Sequence, residues 1–188
     1  VAPDAIVDPR PYCELIRQWS TFHPEFAFLP RTFKIAVSGA LNDRAAVQVH
    51  DIGLQVLLNE KGETGFRVYV GGGLGRTPVV GSLINEFLPE EDLLSYLESI
   101  LRVYNLYGRR DNKYKARIKI LVKALTPEVF AEKVNAEWQY VKDGYTKLTQ
   151  EEITRAKGLF TSPAYETIDH DAAQAALAEQ AQSNGAFR

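Results

Sequence analysis

Three stretches of this chain combine residue types and spacing that can do chemistry with an anion. The first is the glycine run Val70-Gly71-Gly72-Gly73-Leu74-Gly75-Arg76-Thr77-Pro78. Consecutive glycines let backbone N–H groups converge on an anion. The run leaves a strand pattern, and Thr77-Pro78 reads as an N-cap followed by a first-turn proline, which would add the partial positive charge of a helix start. Arg76 stands where a dinucleotide fingerprint needs its third glycine, and no Gly-Lys-Ser/Thr follows for a phosphate loop. The same run also serves as a tight turn that requires positive φ. The second stretch is the basic cluster Arg109, Arg110, Lys113, Lys115, Arg117, Lys119 and Lys123, interrupted only by Asp111. On a helix Arg110, Lys113 and Arg117 fall on one stripe, able to hold carboxylates or phosphates or to stand as a solvated face. The third is Leu29-Pro30-Arg31-Thr32-Phe33-Lys34, where Arg31 and Lys34 point to opposite faces of any regular strand.

Other reactive residues lack partners. His50-Asp51 resembles half of a catalytic dyad, but no nucleophile stands beside it, and a histidine at a strand end reads as structural. Cys13, the only cysteine, falls in an expected helix with no basic partner and reads as a packed thiol. One cysteine cannot form an intrachain disulfide or ligate an iron–sulfur cluster alone, and a lone thiol fits a reducing compartment. His23, His50 and His170 have no metal-ligand spacing, so no metal site is expected. The formal net charge of -2 argues against a dedicated nucleic-acid binder. No apolar run approaches a membrane span, and the start has neither the basic nor the apolar region of a signal peptide, which makes the cytoplasm the expected location.

The elements that must position these residues follow from periodicity. A helix is expected over about 10–21 behind Asp8 and Pro9, with Leu15, Ile16 and Trp19 on one face. Strands are expected near 32–38, 46–58 and 66–71, the second bent near Gly53, with a turn from Asn59 to Gly62; short connections suggest an antiparallel meander. Helices are expected after residue 77. The clearest spans 89–107, with Glu90, Glu91 and Asp92 at its start, a stripe of Leu93, Leu97, Ile100, Leu101 and Tyr104, and Gly108 as its stop. Over 112–125 basic and apolar residues alternate as in a strand, yet Tyr114, Ile118, Leu121, Val122 and Leu125 make a helical stripe, and the length favours helix. Thr126-Pro127 caps the next helix, and Thr149 with Glu152 forms a capping box for another. The fold class is α+β, a small mixed or antiparallel sheet with flanking helices. Residues 1–160 form the domain, and 161–188 are an Ala- and Gln-rich tail, a solvated helix or disordered.

Leu-Pro-Arg-x-Phe-Lys, then Val-Gly-Gly-Gly-Leu, then Lys115-Ala-Arg-Ile-Lys119 occur in an order and spacing that resemble the nitrite/sulfite reductase family, closest to its sulfite reductase haemoprotein branch. The likeness runs from about Phe28 to about Trp138. It implies six-electron reduction of sulfite or nitrite at a sirohaem whose iron shares a cysteine with a [4Fe–4S] cluster, fed by ferredoxin or a flavoprotein. It also implies that Arg31 and Arg117 hold sirohaem carboxylates. Gly71, Gly72 and Gly73 admit the macrocycle, and Lys34 binds the anion and helps deliver protons. Thr32 replaces a usual second lysine, which weakens the substrate-binding set. The cluster motif, Cys-x5-Cys then Cys-x3-Cys, is absent, and so is any methionine. The expectation is therefore an internal fragment of a longer reductase, inactive alone, retaining neither cofactor and partnered by the remainder of that chain. Two rivals stand beside it. One is a non-enzymatic anion- or partner-binding module using the glycine loop and basic helix; the other is a nucleic-acid binder presenting 109–123.

Overall fold

The computed structural model describes residues 4–162, 164 and 167–183; Val1 at the start and Phe187-Arg188 at the end lie outside the described residues. In chain order the elements are α1 (Arg10–Ser20), α2 (Pro24–Ala27), β1 (Ile35–Ser38), β2 (Ile52–Leu58), β3 (Thr64–Val70), β4 (Ser82–Pro89), α3 (Leu93–Tyr107), α4 (Ile118–Leu125), α5 (Pro127–Val141), α6 (Gln150–Gly158) and α7 (His170–Ser183). One mixed sheet carries the strands in sequence order, β1-β2-β3-β4, with helices flanking it. The α+β class expected from the sequence is the one found.

The sheet's buried face follows from period-two alternation. Phe66, Val68 and Val70 on β3 lie opposite Val56, Leu54 and Ile52 on β2, and all six are fully buried or nearly so. The β2–β3 turn forms where it was expected. Asn59 Oδ1 accepts from the backbone N–H groups of Lys61 and Glu63, and Gly62 takes a φ of +78°. Helix α3 is buried from Leu93 to Leu101 all round, not along one stripe, because α2, α4 and α5 all pack on it beside the shared core. The two predicted caps form: Thr126 accepts from Val129 N–H, and Thr149 and Glu152 close a reciprocal box. Helix α7 buries no side chain.

Four expectations are corrected. First, the run after Gly75 enters no helix. Gly73 and Val79 exchange both backbone hydrogen bonds at 2.9 Å, closing a loop that leads into β4. Thr-Pro marks turns as readily as helix starts, and the β-branched and aromatic residues of 79–88 pair with β3 through two register shifts. Second, β1 begins only at Ile35, so Arg31 and Thr32 lie in irregular chain. Third, β1 pairs with β2 in parallel, not as a meander; the segment Gly39–Asp51, with a 3-10 turn at Val47–Val49, crosses over to make that possible. Fourth, residues 112–117 are not helical. Asn112 Oδ1 accepts from Tyr114 N–H and its carbonyl from Lys115 N–H, a local turn that outcompetes helix. Helix α4 starts at Ile118 with Arg117 as its N-cap, so Arg110, Lys113 and Arg117 share no helical stripe. Cys13 is also exposed on α1 rather than packed.

No helix of the described residues is long and apolar enough to cross a membrane.

Candidate functional site

The three anion-capable stretches converge on one buried carboxylate, Asp51, which is 1% exposed. It sits at the mouth of β2. Its Oδ2 accepts from the backbone N–H of Lys34 at 2.9 Å, and its Oδ1 accepts from Arg117 Nη2 at 2.8 Å and Nε at 3.3 Å. Its backbone carbonyl accepts from the N–H of Gly71 at 3.0 Å. A buried carboxylate demands such partners, and its two come from different stretches, while the third stretch ties the backbone of the same residue. The Lys34 carbonyl in turn accepts from Ile52 N–H at 3.1 Å, continuing the β1–β2 ladder past its formal end. Phe33, stacked at a tilt on Tyr104 with ring centroids 5.8 Å apart, holds the same segment against α3.

A cavity of about 290 Å³ opens beside this hub, lined by Lys34, His50, Asp51, Gly73, Gly75 and Arg117 among others. Of the residues expected at the site, Lys34, Gly73 and Arg117 reach it. Arg31 does not: its Nη1 donates to the Lys113 carbonyl at 3.3 Å on the exposed surface. Thr32 is exposed and does not line it either.

The glycines are needed chiefly to fit the protein to itself. A Cβ on Gly72 would stand 2.3 Å from the Gln48 carbonyl oxygen and 2.6 Å from that of His50. The glycine turn therefore lies directly on the 3-10 turn before β2. Gly71 has φ +79° and leaves room for Val122, and Gly73 leaves room for the Lys119 stem. Lys119, largely buried, donates from Nζ to the Thr77 carbonyl at 2.7 Å and props the loop from below.

The basic cluster is dispersed. Arg109 pairs with Asp111, Arg110 lies over the Tyr104 ring and donates to Asn105, and Lys113 lies over Tyr114. Only Arg117 faces the cavity, and Asp51 fixes its direction. The sequence offered His50-Asp51 only as half of a dyad, with the histidine read as structural, and both belong to the wall. The available signal was an acid immediately before a buried strand, a position that is costly unless the carboxylate is paired. Among the described residues no group of three or more His, Cys, Asp or Glu side chains could hold a metal ion.

Comparison with known proteins gives a consistent picture. The family model described as the nitrite and sulphite reductase 4Fe-4S domain matches residues 1–142. A Mycolicibacterium paratuberculosis protein named sulfite reductase (ferredoxin) 1 is 33% identical over 135 residues, covering 72% of this chain and 24% of that protein. A Staphylococcus haemolyticus protein named sulfite reductase (NADPH) hemoprotein beta-component is 36% identical over 115 residues, covering 57% and 20%. Among solved structures, that of the Mycobacterium tuberculosis NirA protein superposes with a TM-score of 0.65 at 26% identity, covering 90% of this chain and 28% of that one. The chain thus spans about a quarter of the length of these relatives.

Proposed function

The chain belongs to the nitrite and sulphite reductase family, and from that premise we propose that it forms one wall of the anion and cofactor pocket of a sulfite or nitrite reductase. The parent enzyme would carry out six-electron reduction of sulfite to sulfide or nitrite to ammonia. The observation that carries this is the single hub at Asp51, which turns Lys34, Arg117 and the glycine loop toward one cavity.

The fit of the family's two cofactors differs. Sirohaem is a tetrapyrrole rich in carboxylates, and it supplies the iron at which the anion is reduced. The cavity is too small for the whole macrocycle but suits a carboxylate arm or a small oxyanion. Arg117 has the planar donor fork to hold such a carboxylate, with Asp51 keeping the fork oriented. Lys34 adds a mobile cation able to bind the anionic substrate and pass it a proton. Gly73 brings backbone close to the same space. Arg31, expected to hold a second carboxylate, would have to leave the Lys113 carbonyl to do so. Thr32 contributes a hydroxyl and no charge. The [4Fe–4S] cluster does not fit: its thiolates are missing, since Cys13 alone is present and lies on the exposed face of α1. Those ligands would come from the remainder of a longer chain, with ferredoxin or a flavoprotein as electron donor and the cytoplasm as location. Residues 1–160 would be the cofactor-contacting unit and 161–188 a tail.

The test is to express anaerobically the reading frame that contains this chain, and to compare it with its Arg117→Ala variant by visible spectrum and iron and sulfide analysis. A sirohaem spectrum, weakened in the variant, supports the proposal. A colourless product that carries neither iron nor sulfide overturns it and leaves an anion-binding module.

A further inference from the structure

His50 lines the same cavity as Lys34 and Arg117, and its ring is oriented by one hydrogen bond. Nδ1 lies 2.9 Å from the carbonyl oxygen of Ala46. A carbonyl can only accept, so Nδ1 carries the hydrogen toward Ala46, and Nε2 is the ring nitrogen left to meet a ligand. That carbonyl is fixed in turn. Ala46 takes a left-handed φ of +50°, and its oxygen also accepts from Val49 N–H at 3.0 Å within the 3-10 turn. The backbone of His50 is covered by Gly72, where any side chain would collide. The imidazole is thus pinned on one side, and Nε2 has no partner among the described residues.

The charged groups lining this cavity are Lys34, Asp51 and Arg117; the glycine turn brings none. Asp51 offsets the charge of Arg117, so Lys34 is the one lining cation without a paired carboxylate, and Thr32 brings no charge. An entering oxyanion would favour a second positive charge within reach, and His50 is the group that can supply one by taking a proton.

We propose that His50 is a further anion-contacting residue of this site, taking a proton on Nε2 as a small oxyanion binds and donating it in an N–H···O bond to that anion. This rests on the reading of the cavity as an anion site. In the reductase it would hold a proton beside an oxygen that must leave as water.

Nitrite is a suitable probe because it stays a monoanion across the neutral range, so any proton taken up belongs to the protein. The 188-residue protein is titrated calorimetrically with nitrite near neutral pH, in two buffers of different ionisation enthalpy, at ionic strength held constant with chloride. In the wild type the binding heat should depend on the buffer, showing uptake of part of one proton per nitrite. His50→Gln should bind severalfold more weakly and lose the buffer dependence. Lys34→Ala should weaken binding and keep it. Melting curves confirm that each variant folds. Buffer-independent binding by the wild type, or uptake that survives in His50→Gln, overturns the role of His50 and leaves the anion site standing. No nitrite binding by the wild type overturns both.

Discussion

Asp51 and Arg117, 66 positions apart in the chain, form a 2.8 Å ion pair in which the carboxylate is 1% exposed and the guanidinium side chain 24%. The pair joins the mouth of β2 to the N-cap of α4, and with Lys34 before β1 it supplies the charge that lines the cavity.

We expect removal of either partner to be expensive and their effects to be coupled. Arg117→Ala strands a buried carboxylate with only the Lys34 amide as donor and should cost about 2–4 kcal/mol, the lower end reflecting the solvent at the guanidinium. Asp51→Asn combined with Arg117→Met should cost less than the sum of the two single changes. A double-mutant cycle from urea unfolding measures this; additive effects would mean that the pair does not act as a unit.

The glycines of the loop should differ sharply in tolerance. Gly72→Ala forces a Cβ into two backbone carbonyls and should destabilise by about 2–3 kcal/mol. Gly75→Ala meets no atom and suffers only from its φ of +102°, with a cost of about 1 kcal/mol. Thermal melts of the two variants separate crowding from backbone strain, and equal losses would contradict the packing of the glycine turn on the 3-10 turn.

Asp92 should be a latent destabiliser at neutral pH. Burial pushes its carboxyl up, with Lys147 opposing and Glu91 and Asp143 reinforcing the shift. A carboxyl raised in the folded state is better tolerated protonated, so its penalty is absent below the unfolded value and grows as pH rises through the raised one. Asp92→Asn should therefore raise the melting temperature at pH 7 and leave it unchanged near pH 3. A gain that is the same at both pH values would show that charge is not the cause.

The capping box of α6 should titrate in the opposite sense. Hydrogen bonds from the Thr149 backbone N–H and hydroxyl hold the Glu152 carboxyl below its usual range. Its contribution is present above the unfolded value and is lost as pH falls through the lowered one. Thr149→Ala should cost about 1 kcal/mol at pH 7 and less in acid, measured by denaturant unfolding at both pH values.

Lys34→Ala should weaken nitrite binding several-fold with little change in stability, because the Lys34 backbone and not its side chain ties to Asp51. Isothermal titration beside a melting curve tests this, and unchanged affinity would remove Lys34 from the anion site.

Much of the architecture was legible before any coordinates. Alternation at Phe66, Val68 and Val70 marked β3 and its buried face, and the apolar stripe from Leu93 to Tyr104 marked α3. That helix starts four residues after the expected residue 89, because β4 runs to Pro89 and the acids form a 3-10 turn. The caps at Thr126 and Thr149 are local chemistry, complete within four residues, so sequence alone reveals them. The stretch after Gly75 misled because Thr77-Pro78 signals a turn and a helix start equally. Only pairing of 82–89 with β3 decides between them, and that partner is distant in sequence.

For the site, the residue types were legible and their assembly was not. The sequence by itself determined that three stretches hold residue types suited to an anion, that Lys34 and Arg117 are cations within them, and that one thiol cannot ligate a cluster. The tertiary structure alone decided that Arg31 donates to the Lys113 carbonyl outside the cavity lining, that the 109–119 cations scatter, and that His50 and Asp51 stand in the wall. The reason is physical. A buried carboxylate must find its donors wherever the fold brings them, and here they come from residues 34 and 117, while Gly71 N–H ties the backbone carbonyl of the same residue. No local pattern encodes a partnership across such distances; it exists only once β1, β2 and α4 are packed together.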